Sequence, residues 1–177
     1  MTRDPLKHPE ELIRRVYSYV AFRIGPGPDA EDVTSETMLR AVRYRSSYDS
    51  KRGKPISWLI GIARTCVDDH FTSRRVSQGE VDDVVDREQL EAEVVERIDL
   101  ANAVARLDRR DQELIALRYG ADLSTREIGK VLGMTGNAVD VALHRSRQRL
   151  RAQLETDEGG SSPPSIRLSR PQANVTG

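Results

Sequence analysis

Residues 124–151, STREIGKVLGMTGNAVDVALHRSRQRLR, decide the fold class. Ser124 and Glu127 have the spacing of a capping box, in which the Ser hydroxyl and the Glu carboxylate each satisfy a backbone donor at a helix start. Gly133 can adopt the left-handed conformation of a helix C-cap, and a longer helix is predicted from Asn137 to Arg151. A short helix, a turn and a longer helix in this order predict a helix-turn-helix.

The longer helix is predicted to have one buried and one exposed face. At 100° per residue, Val139, Leu143 and Leu150 lie on one stripe together with Ser146. The opposite face carries polar and basic side chains that suit base edges and phosphates in a DNA major groove. A solvated amphipathic helix is the alternative, because arginines near a helix C-terminus are also favoured by the helix dipole. The exposed set is Asn137, Val141, His144, Arg145 and Gln148, flanked by Arg147, Arg149 and Arg151.

Three further helices are predicted in the N-terminal part of the chain. Apolar residues recur at helical spacing from Pro9 to Ile24, again after Asp29 as a candidate N-cap, and again from Pro55. No alternation typical of strands competes with this pattern, so the predicted class is all-α. The predicted buried positions are Leu12, Ile13, Val16, Val20 and Ile24, then Ala30, Val33, Thr37 and Ala41, then Ile56, Leu59, Ile60, Ala63, Val67 and His70.

The net charge of zero conceals a strong segregation along the chain. Residues 1–75 hold 14 basic and 10 acidic residues, 76–105 hold 2 and 9, and 106–151 hold 10 and 6. We therefore predict two small helical domains, 1–75 and 106–155, joined by an acidic linker at 76–105 that is partly helical. The polar, Gly- and Pro-containing tail 156–177 is predicted to be disordered. The linker acids could also fold against either basic block and compete with DNA phosphates.

Several classes of function are excluded by composition. A lone Cys66 with three scattered histidines predicts no metal site, and the absence of a phosphate-binding loop argues against nucleotide chemistry. Asp68, Asp69 and His70 point in different directions on one helix, which disfavours a hydrolase. No apolar run is long enough for a membrane span, and the N-terminus lacks signal-peptide character. The expectation is a cytoplasmic protein without cofactor, metal, catalytic residues or enzyme activity.

Two sets of motifs resemble the bacterial sigma-70 family, in its small extracytoplasmic-function group. Residues 107–119 (LDRRDQELIALRY), 123–129 (LSTREIG) and 144–150 (HRSRQRL) are similar to that family's region 4. Residues 29–38 (DAEDVTSETM) through 58–64 (WLIGIAR) are similar to its region 2. The resemblance implies a subunit that joins core RNA polymerase, recognises the minus-35 promoter element with region 4, and recognises and opens the minus-10 element with region 2.

For the minus-35 element, the resemblance implies contacts from the helix-turn-helix and from one arginine before it. The sequence departs from the family at Asp140-Val141-Ala142, where members usually carry a basic residue followed by Ser-Arg. An acid beside DNA phosphates is repelled, so contacts at these three positions do not carry over directly. The predicted minus-35 contacts are Arg118, Thr135, Asn137, Val141, His144, Arg145, Arg147 and Gln148.

For the minus-10 element, the resemblance implies a basic loop and the helix that follows it. Opening a duplex forfeits about 1.4 kcal/mol of stacking per step, and flipped bases recover part of that on aromatic or polar surfaces. Tyr48 is either a base-stacking residue or an anchor of the loop, and Trp58 either packs or contacts DNA. Thr65 stands where the family often has Asn. The predicted minus-10 contacts are Tyr48, Lys51, Arg52, Lys54, Trp58, Arg64 and Thr65.

The helix after Asp29 is predicted to present Leu39 among charged residues, opposite its buried stripe. An apolar centre with a charged rim suits a protein partner, although one exposed leucine is also ordinary on any surface. In the family this helix docks on the clamp coiled coil of the large subunit of core RNA polymerase. Ser35 occupies a position where family members often have Gln. The predicted docking residues are Asp32, Ser35, Glu36, Leu39 and Arg43.

The predicted partners are core RNA polymerase and promoter DNA, with an anti-sigma protein as a further candidate. Two alternatives differ in class from a sigma factor. One is a free-standing helix-turn-helix regulator whose first domain senses or dimerises, and the other is an adaptor that binds polymerase without recognising promoters.

Overall fold

The structure is a computed structural model, and it describes residues 4–78 and 100–158. Within these residues the regular elements are helices and helical turns, which confirms the predicted all-α class. Most of the predicted acidic linker (79–99) and of the predicted disordered tail (159–177) lie outside the described residues. The helices are α1 (Pro9–Ile24), α2 (Pro28–Arg43), α3 (Pro55–Gln78), α4 (100–105), α5 (Arg109–Ile115), α6 (Thr125–Leu132) and α7 (Gly136–Glu158).

Helices α1, α2 and α3 pack against one another and form what we call the N-terminal bundle. The predicted buried stripes of α2 and α3 are confirmed from Ala30 to Ala41 and from Ile56 to Val67, whereas His70, predicted at the end of the α3 stripe, is only half-buried.

On α1 the predicted residues Leu12, Val16 and Val20 are buried, but the buried face extends further round the helix than predicted. Ile13 is 42% exposed, whereas Tyr19 and Arg23 are buried. The cause of this difference is the C-terminal part of the chain, which packs against α1 as described below.

The predicted N-cap of α2 at Asp29 is wrong. The helix begins at Pro28, Gly27 is the N-cap residue, and no side chain caps the helix. Proline favours this position, because its fixed φ suits a first helical turn and its missing N–H would have no intrahelical acceptor there. Asp29 instead lies within the first turn, near the positive end of the helix dipole.

Helices α4 to α7 form what we call the C-terminal bundle, and its helix-turn-helix is confirmed. The Ser124 Oγ accepts from the Glu127 N–H at 3.3 Å, and the Glu127 carboxylate accepts from the Ser124 N–H at 2.9 Å. Gly133 ends α6 in the left-handed conformation, with φ 68° and ψ 32°. Asp108 caps α5 by accepting from the Asp111 N–H.

The two bundles are in contact and share buried residues. Among the described residues, one apolar cluster contains Val16 and Tyr19 of α1 together with Leu117, Leu123 and Ile128 of the C-terminal bundle. The closest approach is at a five-residue π-turn, Ala116–Gly120, that follows α5 and packs on α1. A Cβ atom on Gly120 would lie 2.8 Å from the Tyr19 Cα, so this approach requires glycine.

Candidate nucleic-acid interface

Helix α7 presents the polar face predicted for DNA recognition. Val139, Leu143 and Ser146 are buried against the rest of the C-terminal bundle. The opposite side of the helix is open to solvent, with Val141 53% exposed. The exposed predicted residues on α7 are Asn137, Val141, His144, Arg145, Arg147 and Gln148.

Two predicted minus-35 residues have local structural partners. Arg118 is half-buried, and its Nη1 donates to the Leu123 carbonyl at 3.0 Å, which braces the loop before α6. Thr135 is exposed, and its Oγ1 accepts from the Ala138 N–H at 3.2 Å. Thr135 therefore caps the start of α7. Thr135 thus lies at the start of the α7 face, whereas Arg118 is bonded to the loop before α6.

A buried carboxylate that the sequence did not reveal fixes α7 on α5. Asp111 is 3% exposed, and it accepts from the Ser146 Oγ at 2.7 Å and from Arg149 Nη1 at 2.6 Å. The hydrogen bond and the charge of Asp111 raise the pKa of Arg149. A buried polar residue such as Ser146 requires a partner, but sequence alone does not identify a partner 35 residues away. Arg149 is also exposed, but it differs from Arg145 and Arg147 because it has this buried carboxylate as a partner.

A second cationic surface lies on the N-terminal bundle, at the loop before α3 and along α3 itself. Lys51, Arg52, Lys54 and Thr65 are exposed, and Trp58 and Arg64 are half-buried. Tyr48 is 8% exposed.

Of the two roles open for Tyr48, the structure shows that of loop anchor. Its hydroxyl donates to the Gly53 carbonyl at 3.0 Å, and its ring centroid lies 5.6 Å from that of Trp58. The two rings are tilted by 59°, a geometry that aromatic pairs favour. The pair therefore holds the basic loop against α3, and Trp58 has a packing role in this arrangement.

Two cations of this second surface contact the C-terminal bundle. Arg64 Nε lies 3.0 Å from Glu113 Oε1, and Arg64 Nη1 donates to the Val131 carbonyl at 3.2 Å. Lys54 Nζ lies 3.0 Å from Glu127 Oε1. Burial acts to raise the pKa of Glu127, but the hydrogen bonds from Ser124 and the Lys54 ammonium outweigh it and lower that pKa to about 2.

A third surface is the exposed face of α2. Asp32, Ser35, Glu36, Leu39 and Arg43 are all exposed, and Leu39 is 65% exposed.

The α2 surface is more apolar than its sequence pattern indicated. Val42, which is one helical turn from Leu39, is 55% exposed. At the border of this face Arg40 donates from Nε to Glu36 at 2.6 Å and from Nη1 to Asp69 at 2.9 Å, so Glu36 already has a partner within the protein. The helical spacing of Val42 from Leu39 was the signal that could have revealed this patch.

No group of three or more His, Cys, Asp or Glu side chains in the described residues could hold a metal ion. Among the same residues, no helix is both long enough and apolar enough to cross a membrane.

The arrangement as a whole defines a class of protein: an all-helical DNA-binding protein with a helix-turn-helix and a second cationic surface on a separate bundle. Comparison with known families makes this more specific. Sigma-70 region 2 matches residues 10–76, and Sigma-70, region 4 matches residues 97–150. The chain belongs to the sigma-70 family of RNA polymerase sigma factors, in the extracytoplasmic-function group.

Individual relatives agree with this assignment. The chain is 36% identical over 150 residues to the ECF RNA polymerase sigma factor BldN of Streptomyces coelicolor; the match covers 80% of the chain and 57% of that relative. It is 30% identical over 148 residues to the ECF RNA polymerase sigma factor SigF of Caulobacter vibrioides, with 82% of each chain covered.

Two solved structures have a similar fold. One is the sigma factor RpoE in complex with the anti-sigma factor NepR from Bartonella quintana, with a TM-score of 0.69 at 19% identity. That match covers 82% of the chain and 93% of RpoE. The other is CnrH in complex with the cytosolic domain of CnrY, with a TM-score of 0.60 at 26% identity. It covers 85% of the chain and 84% of CnrH.

Proposed function

We propose that the chain joins core RNA polymerase and directs it to promoters by recognising a minus-35 element and by recognising and opening a minus-10 element. The observation that carries this proposal is the presence of two cation-bearing surfaces, one on each bundle, in the order of sigma regions 2 and 4. Such a subunit supplies binding and no catalysis of its own. The role implies a cytoplasmic location, where core polymerase transcribes the chromosome.

The proposed minus-35 reader is the exposed face of α7. A helix of this kind fits the major groove, where arginine can form bidentate hydrogen bonds to guanine and asparagine to adenine. Arg145 and Arg147 are exposed and lie away from the buried Val139 and Leu143, so both can meet DNA without disturbing the core. Thr135 and Asn137, at the start of the helix, would meet the adjacent backbone or bases.

The proposed minus-10 reader is the loop before α3 together with α3. Lys51 and Arg52 are exposed on this loop and can follow a single-stranded backbone. The contact between the Tyr48 and Trp58 rings holds the loop against α3. We therefore assign Tyr48 a structural role, which is to keep the loop in place. Thr65, exposed on α3, offers a hydroxyl to a displaced base.

The proposed polymerase-docking surface is the exposed face of α2. Leu39 and Val42 form its apolar centre, and Asp32 and Arg43 lie on its charged rim. The partner we propose is the clamp coiled coil of the polymerase large subunit. An anti-sigma protein is a further proposed partner, supported by the similar fold of RpoE, which was solved in complex with the anti-sigma factor NepR.

Co-purification with core RNA polymerase followed by run-off transcription tests the proposal. We expect Leu39→Glu to abolish co-purification, because it places a charge at the apolar centre of the docking face. Val76→Glu is the matched control, since Val76 is 84% exposed at the far end of α3. A free-standing regulator would bind promoter duplex and not join core, and an adaptor would join core without conferring promoter choice. Either result would refute the proposal.

A further inference from the structure

Asp140 is an acidic residue on the helix that we propose as the minus-35 reader. It is exposed, and it is the only acid in the sequence from Gly136 to Leu154, a stretch of α7 that contains four arginines. A carboxylate here is repelled by DNA phosphates, so it lowers the affinity for every duplex unless it makes a favourable contact of its own. The carboxylate therefore has either a role in the fold or a specific partner in the DNA.

The structure gives the Asp140 carboxylate no role in the fold. Among the described residues it has no hydrogen bond or ion pair, not even with His144, which is exposed one turn further along the helix. Asp140 is the fifth residue of α7, and the stabilising effect of the helix dipole on an acid falls off within the first turn. The start of the helix is already capped by Thr135, which accepts from the Ala138 N–H. Asp140 therefore differs from the buried and paired Asp111.

The position of Asp140 on α7 is fixed by its buried neighbours. Val139 is fully buried and Leu143 is 5% exposed, so the helix cannot rotate about its axis without exposing them. At 100° per residue, Asp140 lies about 60° from Asn137 and about 40° from His144 around the helix. It thus shares the exposed side with both. The N-terminal residues of a recognition helix are those that contact base edges in the major groove, and this is where Asp140 lies.

The base that Asp140 meets determines whether its carboxylate is attracted or repelled. An ionised carboxylate only accepts hydrogen bonds. In the major groove cytosine presents the N4 amino donor, whereas guanine presents two acceptors and thymine presents one. Adenine presents an N6 donor next to the N7 acceptor, which opposes the second carboxylate oxygen. Cytosine is therefore the base that suits Asp140 best. Val141, the next residue and 53% exposed, suits the methyl group of a thymine nearby.

We propose that Asp140 is a specificity-determining residue that accepts a hydrogen bond from the N4 amino group of a cytosine in the minus-35 element. This inference rests on the proposed function, because it takes α7 as the helix that enters the major groove. The exposed arginines of α7 attract any duplex through its phosphates. Asp140 adds discrimination, because a base that presents an acceptor leaves the carboxylate desolvated, unpaired and repelled.

The first test measures base preference with a library of DNA duplexes. Each duplex carries a random segment of about one helical turn, roughly 10 base pairs. The full chain selects from the library at about 0.15 M salt, once alone and once in complex with core RNA polymerase, and the bound DNA is sequenced. The test variants are Asp140→Ala and Asp140→Asn. The matched control is Asp122→Asn, which removes one negative charge at an exposed residue of the same bundle. Asn also tolerates the left-handed φ of 52° at residue 122.

We expect wild type to enrich cytosine at one position by at least about fivefold over each other base. Asp140→Ala should lose this preference and keep the preferences at other positions. Asp140→Asn should prefer adenine there, because an amide accepts from N6 and donates to N7. Asp122→Asn should keep the cytosine preference. If Asp140→Ala binds every sequence more tightly and leaves all base preferences unchanged, its carboxylate is only repelled by DNA and the proposal is overturned.

The second test identifies the atom of the base. In N4-methylcytosine one amino hydrogen still pairs with guanine, and the methyl group replaces the hydrogen that faces the major groove. Placed at the selected position, this base should weaken wild-type binding by at least about fivefold and leave Asp140→Ala binding unchanged. An equal loss in wild type and in Asp140→Ala would show that the carboxylate does not accept from this amino group, and the proposal would be wrong.

The outcomes also distinguish this inference from the proposed function. If holoenzyme containing wild type directs run-off transcription while Asp140→Ala has the base preferences of wild type, the role of Asp140 is wrong and the sigma function stands. If the chain alone selects cytosine through Asp140 but does not join core polymerase, Asp140 recognises DNA and the proposed function is wrong. No enrichment of cytosine by wild type, alone or with core, would overturn the inference.

Discussion

The two cationic surfaces of this protein differ in whether their basic residues have carboxylate partners. On α7, Arg145 and Arg147 are exposed to solvent. On the N-terminal bundle, Arg64 and Lys54 each have a carboxylate of the other bundle 3.0 Å away. Residues of the same charge therefore differ in their intramolecular partners, although Lys54 stays 74% exposed beside its carboxylate. The count of basic residues alone does not describe such a surface.

The exposed α7 face depends on the buried stripe beneath it, and Leu143 tests this dependence with the largest expected effect. Leu143 is 5% exposed, so Leu143→Ala should lower the free energy of unfolding by about 2–5 kcal/mol through the loss of packing and the cavity. Urea denaturation followed by circular dichroism measures the change. Val141→Ala, on the exposed face, should change stability by less than about 0.5 kcal/mol. Equal losses would mean that the two faces of α7 are assigned wrongly.

The arginines of α7 test whether cations without a carboxylate partner contribute to promoter recognition. Arg145→Ala and Arg147→Ala should each weaken minus-35 recognition by about 1–3 kcal/mol where the contact is to a base edge, with the fold intact. A phosphate contact would instead weaken binding to all sequences and reduce the salt slope by about one. Run-off transcription by holoenzyme on promoters with and without the minus-35 element measures the effect.

Arg149→Ala is the internal control for this prediction. Its guanidinium is paired with the buried Asp111, so its removal should lower the melting temperature and leave promoter discrimination unchanged. Normal transcription by the Arg145 and Arg147 variants from minus-35-dependent promoters would contradict the assignment of α7 as the recognition helix.

Substitution of Glu127 should have the smallest effect on the free energy of unfolding, and the effect should depend on pH. The pKa of Glu127 is about 2 in the folded chain against an ordinary 4.5, so the unfolded chain binds the proton more tightly. The stabilisation is complete above pH 4.5 and is lost as the pH falls from about 4.5 to about 2. Glutamine can still complete the capping box, and the Lys54 partner is 74% exposed. Glu127→Gln should for these reasons cost less than about 1 kcal/mol at about pH 7, and the difference from wild type should shrink towards about pH 2. Urea titrations near neutral pH and near about pH 3 check this, and a difference that grows on acidification would contradict it.

Local features of the fold could be predicted from the sequence, whereas contacts between distant residues could not. The capping box at Ser124 and the left-handed Gly133 depend on neighbouring residues, and both were predicted correctly. Glu113 carries no comparable signal, because its partners Tyr19 and Arg64 lie 94 and 49 positions away and no periodic pattern links them. The same limit explains why the buried face of α1 was predicted only in part, with Tyr19 and Arg23 missed, since the π-turn that packs on α1 comes from the other bundle.

In the candidate site, too, local features could be predicted and contacts between distant residues could not. The exposed residues of α7 and α2 were predicted from helical periodicity, which distinguishes the two sides of an amphipathic helix. Tyr48 was left open between two roles, and the choice depended on the position of Trp58 and of the Gly53 carbonyl in space. Arg64 and Lys54 were assigned to DNA, but their carboxylate partners depend on the packing of the bundles.

The contact between Arg15 and the Ala121 carbonyl has a consequence for the synthesis of the chain. The two residues are 106 positions apart, and a ribosome needs roughly 5–20 s to make a segment of that length. Until Glu113 and Gly120 have been made, Arg64 has no Glu113 carboxylate beside it and the buried face of α1 lacks the turn that packs on it. A ligand that binds these residues of the nascent chain therefore meets no competing intramolecular partner.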